Sequence, residues 1–171
     1  MEVPMAYSAL AVANAFIERA RKGEIRNLTP MKLQKLLFYT QSWHLRLNGE
    51  RSPLIDDNFA RWKFGPVIPS LYHELKSYGA QEVTSLIKNI NFDSDGDAIL
   101  ITPTVPKSDQ ATHNLIDKII SKYGKLTGTE LSNLTHEAGT AWAEGDADGS
   151  PITWGEMAQK IHPESRFSGK E

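Results

Sequence analysis

Residues 29–49 constrain the fold more than any other stretch of the chain. Thr29-Pro30 supplies an N-cap followed by proline at the first helical position, and Asn48-Gly49 supplies the stop. Between them Leu33, Leu36, Leu37, Thr40 and His44 fall on one helical stripe, with Tyr39, Trp43 and Leu47 beside it. A helix from Pro30 to Leu47 is expected, and its apolar stripe must be covered by other elements. Lys32, Lys35 and Arg46 fall on the remaining side, expected to be the outer face.

The rest of the chain supplies the cover. Ala9, Leu10, Ala13, Phe16 and Ile17 share a face of a helix over residues 6–21, ended by Gly23 and Asn27. Residues 50–57 read as a loop. Asn58 to Phe64 reads as a short strand that Gly65-Pro66 breaks, and Pro69-Ser70 opens a short helix closed by Gly79. Ser85 to Asn91 is ambiguous. Asp93 to Asp97 reads as a turn before a strand from Ala98 to Thr102. Ser108 is expected to cap a helix carrying Ile116, Ile119 and Ile120. Thr127-x-x-Glu130 and Thr153-x-x-Glu156 are capping boxes opening two more, the second carrying Met157 and Ile161. The sum is mainly α, of α+β type: a helical domain with a small two- or three-stranded antiparallel sheet. Residues 1–165 are expected to form a single domain and residues 166–171 a polar tail.

A chain of 171 residues with 40% hydrophobic side chains can bury roughly 70% of its unfolded surface. It has no cysteine, so neither disulfides nor thiolate metal sites hold it, which fits a reducing cytoplasm. No run approaches the ~20 apolar residues of a membrane span, and Met1 to Tyr7 lacks the basic start of a signal peptide. A cytoplasmic protein without membrane contact is expected. Residues 1–88 hold 12 Lys/Arg against 8 Asp/Glu, a balance of +4; residues 89–171 hold 7 against 13, a balance of −6. The cluster Arg19, Arg21, Lys22, Arg26, Lys32 and Lys35 is either a solvated helix surface or a docking surface for an acidic partner.

Catalytic and metal patterns fail on inspection. Asn91 to Gly96 and Glu144 to Gly149 start like calcium loops, but Thr102 and Gly155 stand where a bidentate glutamate is needed. His73-Glu74 and His136-Glu137 start like zinc helices, but Ser77 and Thr140 stand where the second histidine belongs. No phosphate-cradling glycine loop and no G-x-S-x-G elbow is present. No cofactor, no metal and no enzymatic activity are expected, although a triad assembled in space from scattered His, Ser and Asp is not readable from sequence. Thr127 to His136 and Thr153 to Ile161 could pass for a helix-turn-helix pair, the basis of an alternative reading as a DNA-binding regulator. Residues 127–164, however, hold Lys160 as their only Lys/Arg against seven Asp/Glu, which would repel phosphate, so no nucleic-acid partner is expected.

What remains is Trp62-Lys63-Phe64-Gly65-Pro66-Val67-x-Pro69-x-x-Tyr72. Proline and glycine fix a bend, and the rings supply area at little rotamer entropy. This is either a core corner, with Trp62 and Tyr72 locking sheet to helix, or a preformed aromatic pocket for a partner's side chain.

Three segments together resemble a known family. Met31-Lys-Leu-Gln-Lys-Leu-Leu-Phe-Tyr-Thr-Gln-Ser-Trp43, Trp62 to Tyr72, and Leu131-Ser132-x-x-Thr135-His136-x-x-x-x-x-Trp142 are similar, in order and rough spacing, to the motifs of the Panacea, or SocA-like, antitoxins. The resemblance implies a mostly helical, cytoplasmic, bacterial or phage-associated protein encoded beside a toxin and neutralising it by direct contact. One member of that family instead delivers its toxin to a protease as an adaptor. The expected partner is a cognate toxin, with a protease under the adaptor variant; a homo-oligomer and a phage-associated binding role of another kind stay open. The chain shows no added DNA-binding segment, so autoregulation through an extra domain is not expected. It departs from the family at Ala60-Arg61, where an acidic residue and alanine are common. Candidate partner-binding residues are Trp62, Phe64, Gly65, Pro66, Tyr72, His136, Trp142, Lys32 and Lys35. For His136 two roles stand: bonding the last carbonyls of its helix, or a polar group in the Trp62–Tyr72 pocket.

Overall fold

The computed structural model describes residues 5–163; the expected tail, 166–171, lies outside the described residues. Helix α1 (Ala9–Arg21) starts where the Ser8 hydroxyl accepts the Ala11 N–H. Helix α2 (Pro30–Asn48) starts at Thr29, whose hydroxyl accepts the Lys32 N–H, and ends at Gly49 with φ 107°. Strands β1 (Phe59–Trp62) and β2 (Gly65–Val67) form a hairpin, followed by α3 (Pro69–Leu75) and a 3-10 turn, Lys76–Tyr78. Then come β3 (Asn89–Phe92), β4 (Ala98–Ile101), α4 (Gln110–Tyr123), α5 (Gly128–Thr135), a 3-10 turn over Trp142–Glu144, β5 (Pro151–Ile152) and α6 (Trp154–Gln159). The fold is α+β, with one three-stranded antiparallel sheet ordered β2-β1-β5 and a separate two-stranded ribbon, β3-β4.

Helix α2 is the axis. Every residue from Lys32 to Ser42 is buried, and α1, α3, α4, α5, α6 and β2 all pack against it. Leu33, Leu36, Leu37 and Tyr39 join Phe16 and Ile17 of α1, Ile116 and Ile119 of α4, Leu131 of α5 and Met157 of α6 in one apolar cluster. The helix is enclosed from Lys32 to Ser42, so the expected outer face is corrected at Lys32, 2% exposed, and Lys35, 1%, while Arg46 in the last turn is exposed as expected. Leu47, expected beside the stripe, is exposed instead. The polar side chains of α2 serve the backbone of its neighbours. Lys32 Nζ donates to Arg26 O at 2.8 Å and Gly124 O at 2.6 Å. Gln34 accepts from Ile68 N and donates to Ile68 O, and Gln41 does the same with Ile55, also accepting from Leu54 N. Asn14 of α1 repeats the device on Ile87. Each of these amides satisfies loop backbone that would otherwise be buried unpaired.

Local chemistry sets the remaining ends. Both capping boxes form, Thr127 with Glu130 and Thr153 with Glu156. The cap of α4 is Asp109 instead of Ser108, with the carboxylate accepting from Thr112 N at 3.1 Å. Gly65-Pro66 does not end the strand region; Lys63 and Phe64 make the turn and Gly65 opens β2, opposite Trp62. Proline is tolerated there because β2 is a sheet edge. The ambiguous stretch supplies β3, and the ribbon it forms with β4 is exposed along its whole length. Among the described residues no helix is long and apolar enough to cross a membrane.

Candidate functional site

The β1–β2 hairpin tip carries the aromatic motif, and its carbonyls are held one by one by distant side chains. Trp142 Nε1 donates to Trp62 O at 3.0 Å. His136 Nε2 faces Lys63 O at 3.0 Å, while its Nδ1 faces Ser132 O in the last turn of α5. Ser132 Oγ donates to Phe64 O at 2.5 Å, and Lys35 Nζ to Pro66 O at 3.2 Å. The His136 ring lies 3.8 Å from that of Trp142, centroid to centroid. All three motif segments of the sequence therefore meet at one place. Thr127 fixes where α5 starts, which sets Ser132 and His136 facing the hairpin; the Gly139–Thr140 turn returns the chain so that Trp142 reaches it.

On the other side of the hairpin tip lies a cavity of about 420 Å³ lined by residues that include Met31, Lys35, Trp62, Phe64, Tyr72 and Leu75. Trp62 and Tyr72 meet edge to face with centroids 4.9 Å apart. Phe64 is 61% exposed and Tyr72 42%, so the rings are neither sealed core nor free surface but the rim of an opening. Lys63 and Lys35 are the charged residues in the lining; the Lys63 ammonium stands 5.6 Å from the Phe64 ring centroid. Burial pushes the Lys35 amine down to about 7. Gly65 adopts φ 113°, and a Cβ there would sit 2.6 Å from Lys35 Cε and 2.8 Å from Thr135 Oγ1. Glycine is thus required twice over, by backbone and by contact.

The structure brings together Trp62, Phe64, Gly65, Pro66, Tyr72 and Lys35 at the cavity and hairpin. His136 and Trp142 stand behind the hairpin as its supports; the cavity lining does not include them. Lys32 is elsewhere, tying the start of α2 to the end of α4; burial lowers its pKa, and Glu130 partly opposes that. Sequence reasoning missed Arg61. Its buried guanidinium donates to Ala141 O at 3.0 Å, Trp142 O at 3.1 Å and Pro151 O at 2.9 Å, and pairs with Glu156 at 2.8 Å. Burial pushes the Glu156 carboxyl up, but hydrogen bonds from Thr153 and the Arg61 charge outweigh this and hold it below the usual range. The departure at Ala60-Arg61 was the one signal of this hub. Sequence reasoning also missed the ribbon's apolar face, where Ile90, Phe92 and Leu100 stand exposed on the same side.

Ser132 Oγ is engaged with a carbonyl, and His136 meets the Ser132 carbonyl, not its hydroxyl, so the two are not a nucleophile and base. Among the described residues no group of three or more His, Asp or Glu is placed to hold a metal ion.

The family model described as antitoxin SocA-like, Panacea domain, matches residues 33–143, a span that contains Lys35, the hairpin, α5 and Trp142. The chain is 30% identical over 141 residues to the antitoxin SocA of Caulobacter vibrioides (strain NA1000 / CB15N), covering 81% of this chain and 70% of that protein. No solved structure matches it.

Proposed function

Since the chain belongs to the SocA-like, Panacea-domain antitoxin family, we propose that it neutralises a cognate toxin in the cytoplasm by direct contact, with part of the toxin seated in the Trp62–Tyr72 cavity. The observation that carries this is the cavity itself: rigid rings held half-open by a hairpin whose carbonyls are anchored from three sides. A preformed opening walled by aromatic side chains binds without first paying to order itself, and such rings dominate binding energy at protein interfaces. The test is co-expression with the protein encoded next to it. The neighbour alone should arrest growth, co-expression should restore it, and the two should co-purify. A neighbour that is harmless alone, or stays toxic beside this chain, defeats the proposal.

A second reading, delivery of the toxin to a protease, is favoured by a specific observation. An adaptor needs two surfaces, and the ribbon's exposed Ile90, Phe92 and Leu100 form a second apolar one on separate strands. Toxin half-life decides: an adaptor shortens it, a direct neutraliser leaves it unchanged or lengthens it. The DNA-binding reading has less support, since α5 and α6 are separated by a 3-10 turn and β5, and both pack on α2.

A further inference from the structure

Three of the long polar side chains that helix α2 buries make two or more hydrogen bonds each. Gln34 and Gln41 exchange bonds in both directions with loop backbone. Lys32 reaches two carbonyls. Lys35 differs. It is 1% exposed, and among the described residues it makes one hydrogen bond, to Pro66 O at 3.2 Å, although an ammonium carries three donors. Burial alone shifts it; no carboxylate contributes. The site is thus built around an amine where a methionine would fill the same space without desolvation.

The surroundings select a sign. The cavity that Lys35 lines contains a second cation, Lys63, and no aspartate or glutamate. Gln34, also in the lining, has its amide committed to Ile68. Of the other titratable groups on the neighbouring elements, Lys32 meets its two carbonyls, His136 meets Ser132 O and Lys63 O, and His73, Glu74 and Glu130 are exposed and outside the lining. The remaining walls are aromatic or aliphatic.

We propose that the cavity receives an aspartate or glutamate side chain of the toxin, its carboxylate meeting Lys35 Nζ and its carbon chain packing on Trp62, Phe64 and Tyr72. This rests on the antitoxin reading above and adds the chemistry of the contact. An apolar occupant would leave the buried amine with donors unfilled, a neutral amide would accept from it without balancing its charge, and a cationic occupant would meet two lysines. A carboxylate fills the donors and draws a proton onto Lys35 from solvent, so binding is coupled to proton uptake once the free amine is deprotonated. The Pro66 carbonyl already fixes the amine's position, so the contact needs no rearrangement of the hairpin. Gly65 keeps the amine there, because any side chain at that position would displace Lys35 Cε.

The test has two arms. In the first, the full chain is titrated with 3-phenylpropionate and with its neutral isostere 3-phenylpropionamide, followed by the amide signal of Gly65 and the indole signal of Trp62 in nuclear magnetic resonance spectra. The acid should bind at least about tenfold more tightly than the amide, and its affinity should fall about tenfold per pH unit above about pH 7. Lys35→Met should abolish both the preference and the pH dependence. Equal binding of the two probes, no shift with either, or a preference that survives Lys35→Met overturns the inference. In the second arm Lys35→Met is co-expressed with the neighbouring toxin. Loss of neutralisation by a variant that melts normally supports the inference; full neutralisation overturns it while leaving the antitoxin reading intact. Should Lys35→Met fail to fold, the pH profile of the wild-type chain decides. If the wild-type chain itself does not neutralise the toxin, the antitoxin reading fails, and the probe arm still reports whether the cavity selects a carboxylate.

Discussion

The indole N–H of Trp142 donates to the backbone carbonyl of Trp62 at 3.0 Å, although the two residues stand 80 positions apart. The bond joins the last motif of the chain to the first residue of the aromatic one, and it holds β1 while Ser132 holds the turn and Lys35 holds β2. Trp142→Phe keeps most of the ring and removes the donor. The variant should lose about 1–3 kcal/mol in denaturant unfolding, because the Trp62 carbonyl is left without its partner. Hydrogen exchange at the hairpin tip should accelerate more than exchange in α2.

Arg61 is a larger liability. It serves three carbonyls and a carboxylate from a buried position, tying β1 to the 3-10 turn, β5 and α6. Arg61→Ala should cost about 3–5 kcal/mol, since it strands Glu156 and several acceptors together. Gly145→Ala should act on the same hub, because a Cβ there would sit 2.6 Å from Arg61 Nε. Both are read from urea midpoints.

Lys35 gives stability a pH signature. Its folded-state pKa is lowered to about 7, below its unfolded value, so between the two the unfolded chain binds the extra proton. Unfolding free energy therefore rises with pH across that window, by at most about 1.4 kcal/mol per unit from this group. The burial penalty is fully present below about pH 7 and vanishes above about pH 10.4. Lys35→Met should stabilise the protein at neutral pH and remove the slope. Unfolding curves at several pH values check this; an unchanged slope in the variant contradicts it.

How much of this was legible in the sequence depended on whether a feature is local. The caps at Thr29, Thr127 and Thr153 were readable because each is a side chain meeting its own helix end within three residues. The meeting of His136 and Trp142 with the hairpin carbonyls is foreshadowed by the three motifs in order, whereas a place for His136 in the Trp62–Tyr72 pocket is not what the structure shows. Lys32 and Lys35 were misread as surface because helical periodicity reports which residues share a side, not how many neighbours surround the helix. Enclosure of α2 is a tertiary fact. The signal that could have revealed it was the presence of long polar side chains, Gln34 and Gln41, among apolar ones, each of a length that reaches a neighbouring backbone. Strand β3 was ambiguous for a related reason: the ribbon covers no core, so its apolar residues answer to no buried face. Arg61 stands out in sequence only as part of the departure at Ala60-Arg61; its four partners lie 80 to 95 positions away and no local pattern names them.

The ribbon itself allows a contrasting prediction. Ile90, Phe92 and Leu100 share a face that nothing among the described residues covers; Phe92 is 70% exposed. Ile90→Ser with Phe92→Ser should change unfolding free energy by no more than about 1 kcal/mol. Under direct neutralisation the pair leaves toxin binding intact; under the adaptor reading it restores toxin half-life.

Calorimetric titration of the toxin with the wild-type chain and with Trp62→Ala/Tyr72→Ala tests the cavity most directly. The paired substitution removes two rim rings and leaves the four hairpin-carbonyl contacts to Trp142, His136, Ser132 and Lys35 in place, so the melting curve should stay cooperative. The affinity should fall by about thirtyfold or more. A dissociation constant within about twofold of wild type, with the fold intact, would mean that the toxin docks elsewhere on the molecule.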